Sequence, residues 1–150
     1  MRFRFTLILI ALCAVFMPAT GQNSLKIDAQ TPSTCTDSKD LINTDLFGAW
    51  TLELQSGTNN SSTTRLTLAR NPEFTESLAG SFMQGAIRHE VFGDIENGVL
   101  DLEESNNGKD IIAIWKGSVS AGSCGKAITG TRRLVSTQLE QSFVLRRTGW

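Results

Sequence analysis

A chain of 150 residues with 40% hydrophobic side chains can build one core and is short for two ordinary domains. Its net charge of −1, from 14 Lys and Arg against 15 Asp and Glu, argues against the dense basic surface that nucleic-acid binding demands. One histidine, three cysteines and no tyrosine leave few groups from which metal or nucleophilic chemistry can be assembled.

Residues 1–21 read as a secretory signal peptide. Arg2 and Arg4 give a basic start, Phe5 to Met17 is almost wholly apolar, and Ala19-Thr20-Gly21 supplies the small residues of a cleavage site. The apolar run covers about 13 residues, against the ~20 that a permanent membrane helix needs, so no membrane attachment is expected after cleavage. Cys13 follows Leu12, where lipid modification would need a small residue. A cut after Gly21 leaves about 129 residues from Gln22. Removing Arg2 and Arg4 with the peptide takes the net charge from −1 to −3.

Residues 22–45 form a polar N-terminal leader, in which Ser38-Lys39-Asp40-Leu41-Ile42 is expected to make a single helical turn. Cys35 and Cys124 are the two cysteines left after cleavage, and an even count in an exported chain predicts a disulfide. Such a bridge ties the leader to the loop before the seventh strand and is worth ~4 kcal/mol by loop-closure entropy. Neither cysteine has a neighbouring His or thiol, so no metal or redox role is expected.

From Leu46 onward the pattern is β throughout. Trp50, Leu52 and Leu54 alternate with Thr51 and Glu53, the period of a half-buried strand. After a Ser/Asn-rich loop, in which Asn59 and Asn60 each begin an Asn-x-Ser sequon, a second strand runs from Thr63 to Arg70 and stops at Asn71-Pro72. Leu78, Gly80 and Phe82 share a face of the third strand, and Glu90 to Ile95 makes a fourth. Asn97-Gly98 is the strongest hairpin signal and leads to Val99–Glu103, with Leu100 and Leu102 inward. Ile111–Val119, Ala127–Arg133 and Gln141–Arg147 complete the series. Eight short strands without an amphipathic helix predict an all-β domain over residues 46–150, an eight-stranded antiparallel up-and-down barrel.

Charge is unevenly placed. Glu90, Asp94, Glu96, Asp101, Glu103 and Glu104 crowd the middle of the chain, whereas Lys126, Arg132, Arg133, Arg146 and Arg147 crowd its end. Pairing across the surface of neighbouring hairpins is the expected arrangement; the alternative is a basic face for an anionic ligand or partner. His89, alone between two strands, is expected on the surface, and Asp101 with Glu103 on the solvated exterior. In Ile111-Ile112-Ala113-Ile114-Trp115 both faces are apolar, so either Ile112 and Ile114 or Ile111, Ala113 and Trp115 must point outward. Ile112, Ile114 and Trp115 are therefore the candidate contact surface for a second copy or a partner. Gly-x-Ser-x-Gly, His-Glu-x-x-His and phosphate-cradling glycine loops are all absent, so neither catalytic residue nor cofactor is expected.

Gly48-Ala49-Trp50 at the first strand, with Arg146 or Arg147 in the last, resembles the lipocalin and avidin type of barrel, the calycin group. That resemblance implies that Trp50 seals one end under a guanidinium, a cation–π contact of ~1 kcal/mol. Leu78-Ala79-Gly80-Ser81-Phe82 and Ile128-Thr129-Gly130-Thr131 are similar to the glycine-bearing strands of avidins. The biotin site does not carry over, because Phe82 stands where a ligand-bonding tyrosine would be. The size, export signal, Gly-x-Trp strand and single disulfide are also similar to the lipocalin-like periplasmic inhibitors of metalloproteases, which implies a role for the leader in a protease cleft. Leu52, Leu54, Phe82, Leu100, Leu102 and Phe143 are the candidate ligand-lining residues. The expectation is an exported, non-enzymatic binding protein for a small apolar ligand or a protein partner. The alternative is a protease inhibitor acting through its leader.

Overall fold

Eight strands close into one sheet in the computed structural model, which is described here for residues 35–57 and 60–149. They are β1 Gly48–Ser56, β2 Asn60–Arg70, β3 Leu78–Gln84, β4 Ile87–Glu96, β5 Val99–Ser105, β6 Ala113–Val119, β7 Ala127–Leu134 and β8 Glu140–Gly149. Each pairs antiparallel with the next, and β8 returns to β1, giving an up-and-down barrel without an open edge. The signal-peptide reading of residues 1–21 and most of the leader lie outside the described residues.

Alternation along each strand decides which side chains fill the barrel. Trp50, Leu52, Leu66, Leu100, Trp115, Ile128 and Leu145 are fully buried, while Thr67, Asp101, Lys116 and Thr129 between them point to solvent. Small residues make room where large ones reach across. Along one rung Gly117 faces Gly130, and Gly130 faces Phe143. A Cβ on Gly117 would sit 2.7 Å from the Phe143 ring, and one on Gly130 would sit 2.1 Å from the Lys116 carbonyl oxygen. The two glycines let β6 and β7 approach under the aromatic ring, which covers the bare backbone. At the predicted hairpin Asn97 (φ 52°) and Gly98 (φ 76°) are both left-handed, as a two-residue turn between twisted strands requires.

The chain enters the barrel through two 3-10 turns, Ser38–Asp40 and Asn43–Leu46. The first falls within the predicted turn at 38–42; the second has no signal in the sequence pattern. Leu41 and Leu46 are buried and join the core from below Trp50. Asn43 fixes this entry: its amide donates to the Glu76 carbonyl and to Asp94 Oδ1 (2.9 Å), and its Oδ1 accepts from the Ile95 N–H (2.8 Å). Cys35 and Cys124 are bonded across 89 residues, with 4.9 Å between their Cα atoms. The bridge joins the entry segment to the β6–β7 loop at the Trp50 end.

Candidate functional site

Trp50 lies on the floor of the barrel with no exposed surface, its indole N–H donating to the Leu46 carbonyl at 2.8 Å. Arg147 lies over it, with its guanidinium carbon 5.4 Å from the ring centroid and a terminal nitrogen donating to the Phe47 carbonyl. Of the two arginines left open by the sequence, Arg147 covers the tryptophan and Arg146 is exposed on the outer wall. A one-residue register shift between Ala49 and Trp50 on β1, opposite Arg147 and Gly149, puts them so.

Leu52, Leu54, Phe82, Leu100, Leu102 and Phe143 all face inward, each at most 3% exposed. They line a lumen that other side chains occupy. Phe82 on β3 meets Trp115 on β6 edge-on with centroids 5.8 Å apart, and Trp115 meets Phe143 on β8 at 4.9 Å. Because β3 and β6 are not neighbours, the Phe82–Trp115 contact crosses the barrel from wall to wall. Trp115 is therefore core and not contact surface, a correction to its reading as an interface residue. The inward parity of Leu102, its register partner, carries over to it. Ile112 and Ile114 are left half-buried on the other face.

Above this aromatic bridge, toward the end opposite Trp50, sits a cluster of buried polar side chains. Glu104 on β5 is fully buried and Arg132 on β7 is 3% exposed, although both were expected among surface charges. Arg132 grips Glu104 with two bonds of 2.6 Å, Nε to Oε2 and a terminal nitrogen to Oε1. The Trp115 indole donates to Oε2 at 2.8 Å, His89 Nδ1 lies 2.6 Å from Oε1, and the other Arg132 terminal nitrogen donates to Gln141 Oε1. His89, expected at the surface, is 6% exposed and stacks on Phe82 at 5.1 Å. Ala113, directly opposite Glu104 on β6, leaves space for Arg132 to reach over from β7.

Burial alone would raise the Glu104 carboxyl. The bonds and charge of Arg132, followed by Trp115 and His89, outweigh that and hold it below the ordinary glutamate range. With each oxygen held by two partners, the carboxylate has no free lone pair aimed at a substrate. This arrangement braces the barrel by tying β4, β5, β6, β7 and β8 together through one carboxylate and one guanidinium. The sequence did carry a signal for it. Glu104 continues the Leu100–Leu102 parity, and Arg132 has the parity of Ile128; a surface assignment needs that alternation to break.

On the outer wall, Glu90, Phe92 and Asp94 of β4 and Asp101 and Glu103 of β5 border a groove of about 820 Å³, whose other side is Asn71, Pro72, Glu73, Phe74 and Ser77. Lys116 meets Asp101 at 3.0 Å and Arg88 meets Glu90 at 3.7 Å on this surface, whereas the pair that joins the acidic cluster to the basic one, Glu104 with Arg132, lies inside the barrel. Among the described residues no group of three His, Cys, Asp or Glu is placed to hold a metal ion, and no helix is long and apolar enough to cross a membrane.

No family model and no curated protein matches this chain. Among solved structures, a redesigned beta barrel superposes with a TM-score of 0.48 at 12% identity, covering 71% of this chain and 95% of the designed one.

Proposed function

We propose that the chain is an exported, non-enzymatic binding protein whose barrel is a stapled scaffold and whose outer surface engages a protein partner. The observation carrying this reading is the side-chain filling of the lumen. The Phe82–Trp115–Phe143 bridge spans it, and the Glu104–Arg132 cluster occupies the space above, where a small apolar ligand would otherwise enter. Export is supported by the Cys35–Cys124 bridge together with the N-terminal sequence.

Native mass spectrometry of the mature chain after gentle extraction tests the choice of surface. The expected spectrum is the bare polypeptide mass. A stoichiometric apolar molecule retained through purification would replace the scaffold reading with that of a carrier. Photo-crosslinking residues placed at outward positions 92 and 114 are expected to give protein adducts in the exported compartment, and one at inward position 52 is expected to give none. Light scattering on the purified chain shows whether the partner is a second copy.

A further inference from the structure

The groove beside β4 and β5 combines features that the barrel does not need. Phe74 is 67% exposed on its lip, and Phe92 lies half-buried on its wall. Asp94 stands directly opposite Asp101 in the β4–β5 register, and Phe92 stands opposite Glu103. Like charges facing each other across an antiparallel pair work against sheet pairing, as Asp94 and Asp101 do here. Arg88 and Lys116 each meet one carboxylate, and Asn43 caps Asp94. Five carboxylates border the groove, and no three of the described acids converge as a metal ion requires. Spread negative charge beside aromatic rings fits cations distributed along a chain, with their aliphatic stems on the rings.

We propose that this groove takes an extended Lys- or Arg-bearing segment of a partner protein. Phe74 and Phe92 supply the apolar contact, and Glu90, Asp94, Asp101 and Glu103 receive the basic side chains. The inference rests on the reading of the barrel as a scaffold that binds on its outside, and it names the chemistry of the partner.

The test is fluorescence anisotropy of the mature chain with a labelled (Lys-Gly-Arg-Leu)₃ peptide, a (Glu-Gly-Asp-Leu)₃ peptide as its acidic counterpart, and spermine as competitor. The basic peptide is expected to saturate and the acidic one not to bind. Affinity for the basic peptide is expected to fall about tenfold in the double variant Phe74→Ala with Phe92→Ala, and about tenfold in Asp94→Asn with Asp101→Asn. Glu53→Gln, on the outer face of β1 across the barrel, is expected to bind like the parent. Melting temperatures measured on the same variants separate lost binding from lost folding: the Asn pair removes the Asp94–Asp101 repulsion along with the charge facing Lys116 and is expected to stay folded at the temperature of the assay.

Unchanged affinity in both groove variants overturns the proposal, as does spermine competing as well as the peptide per unit charge. If the basic peptide fails while outward crosslinks still capture a protein, this inference falls and the scaffold reading stands. A ligand found inside the lumen with peptide binding intact sinks the scaffold reading and leaves the groove.

Discussion

At the Trp50 end, the indole and the guanidinium over it turn to main-chain carbonyls of the entry segment: Trp50 to Leu46 and Arg147 to Phe47. At the opposite end, Glu104 is held by side chains 15, 11 and 28 residues away, from His89, Trp115 and Arg132. The first arrangement survives loss of one side chain, because a carbonyl near the barrel rim can turn to water. The second is a closed set in which each member satisfies another, so removing one leaves a buried charge exposed to nothing. One end is capped and the other is interlocked.

The largest expected effect comes from breaking the interlock. Glu104→Gln leaves Arg132 buried without its counterion and is expected to cost ~3–5 kcal/mol in urea denaturation. The double variant Glu104→Leu with Arg132→Met removes both charges and is expected to recover most of that loss. A double variant as unstable as Glu104→Gln would show that packing, rather than charge, matters there.

Acid separates the two ends with a smaller effect. Glu104 is held below the ordinary glutamate range in the folded chain, so the unfolded chain takes up its proton first as pH falls. Its contribution is therefore complete above the ordinary glutamate pKa of about 4.3 and is lost as pH drops through the lower folded value. As pH falls below the ordinary glutamate pKa of about 4.3, urea midpoints of the parent are expected to fall more steeply than those of Glu104→Gln. Parallel curves would remove Glu104 as the titrating group.

The smallest effect sharpens the description of the capped end. Arg147→Leu loses the stacking over Trp50 and the bond to Phe47, and is expected to cost ~1–2 kcal/mol. Arg146→Leu, one residue away on the outer wall, is expected to stay within about 0.5 kcal/mol. Equal losses at both positions would show that the cover on Trp50 is not specific to one guanidinium.

The strands were legible because alternation is local: Trp50-x-Leu52-x-Leu54 and Leu100-x-Leu102 state their parity within five residues. Turn chemistry was legible for the same reason, as at Asn97-Gly98. The disulfide followed from cysteine arithmetic, two cysteines remaining once residues 1–21 are read as a signal peptide. Ends of strands were less clear, and β4 begins at Ile87 and not Glu90, since residues at a barrel rim continue pairing after their burial pattern fades.

Charge type misled where parity spoke correctly. Glu104 and Arg132 were grouped with surface residues by their ionic character, and His89 by its isolation, yet each keeps the inward phase of its strand. The sequence by itself determined the period-two strands and their number, because these depend on neighbours along the chain, and it determined the covalent staple by leaving two cysteines to pair across 89 residues. Which charges are buried, which arginine covers Trp50 and whether Trp115 faces in or out were decided only by closure. Closing β8 onto β1 brings distant strands across a shared lumen, and only there can a buried carboxylate find the guanidinium, indole and imidazole that make its burial tolerable.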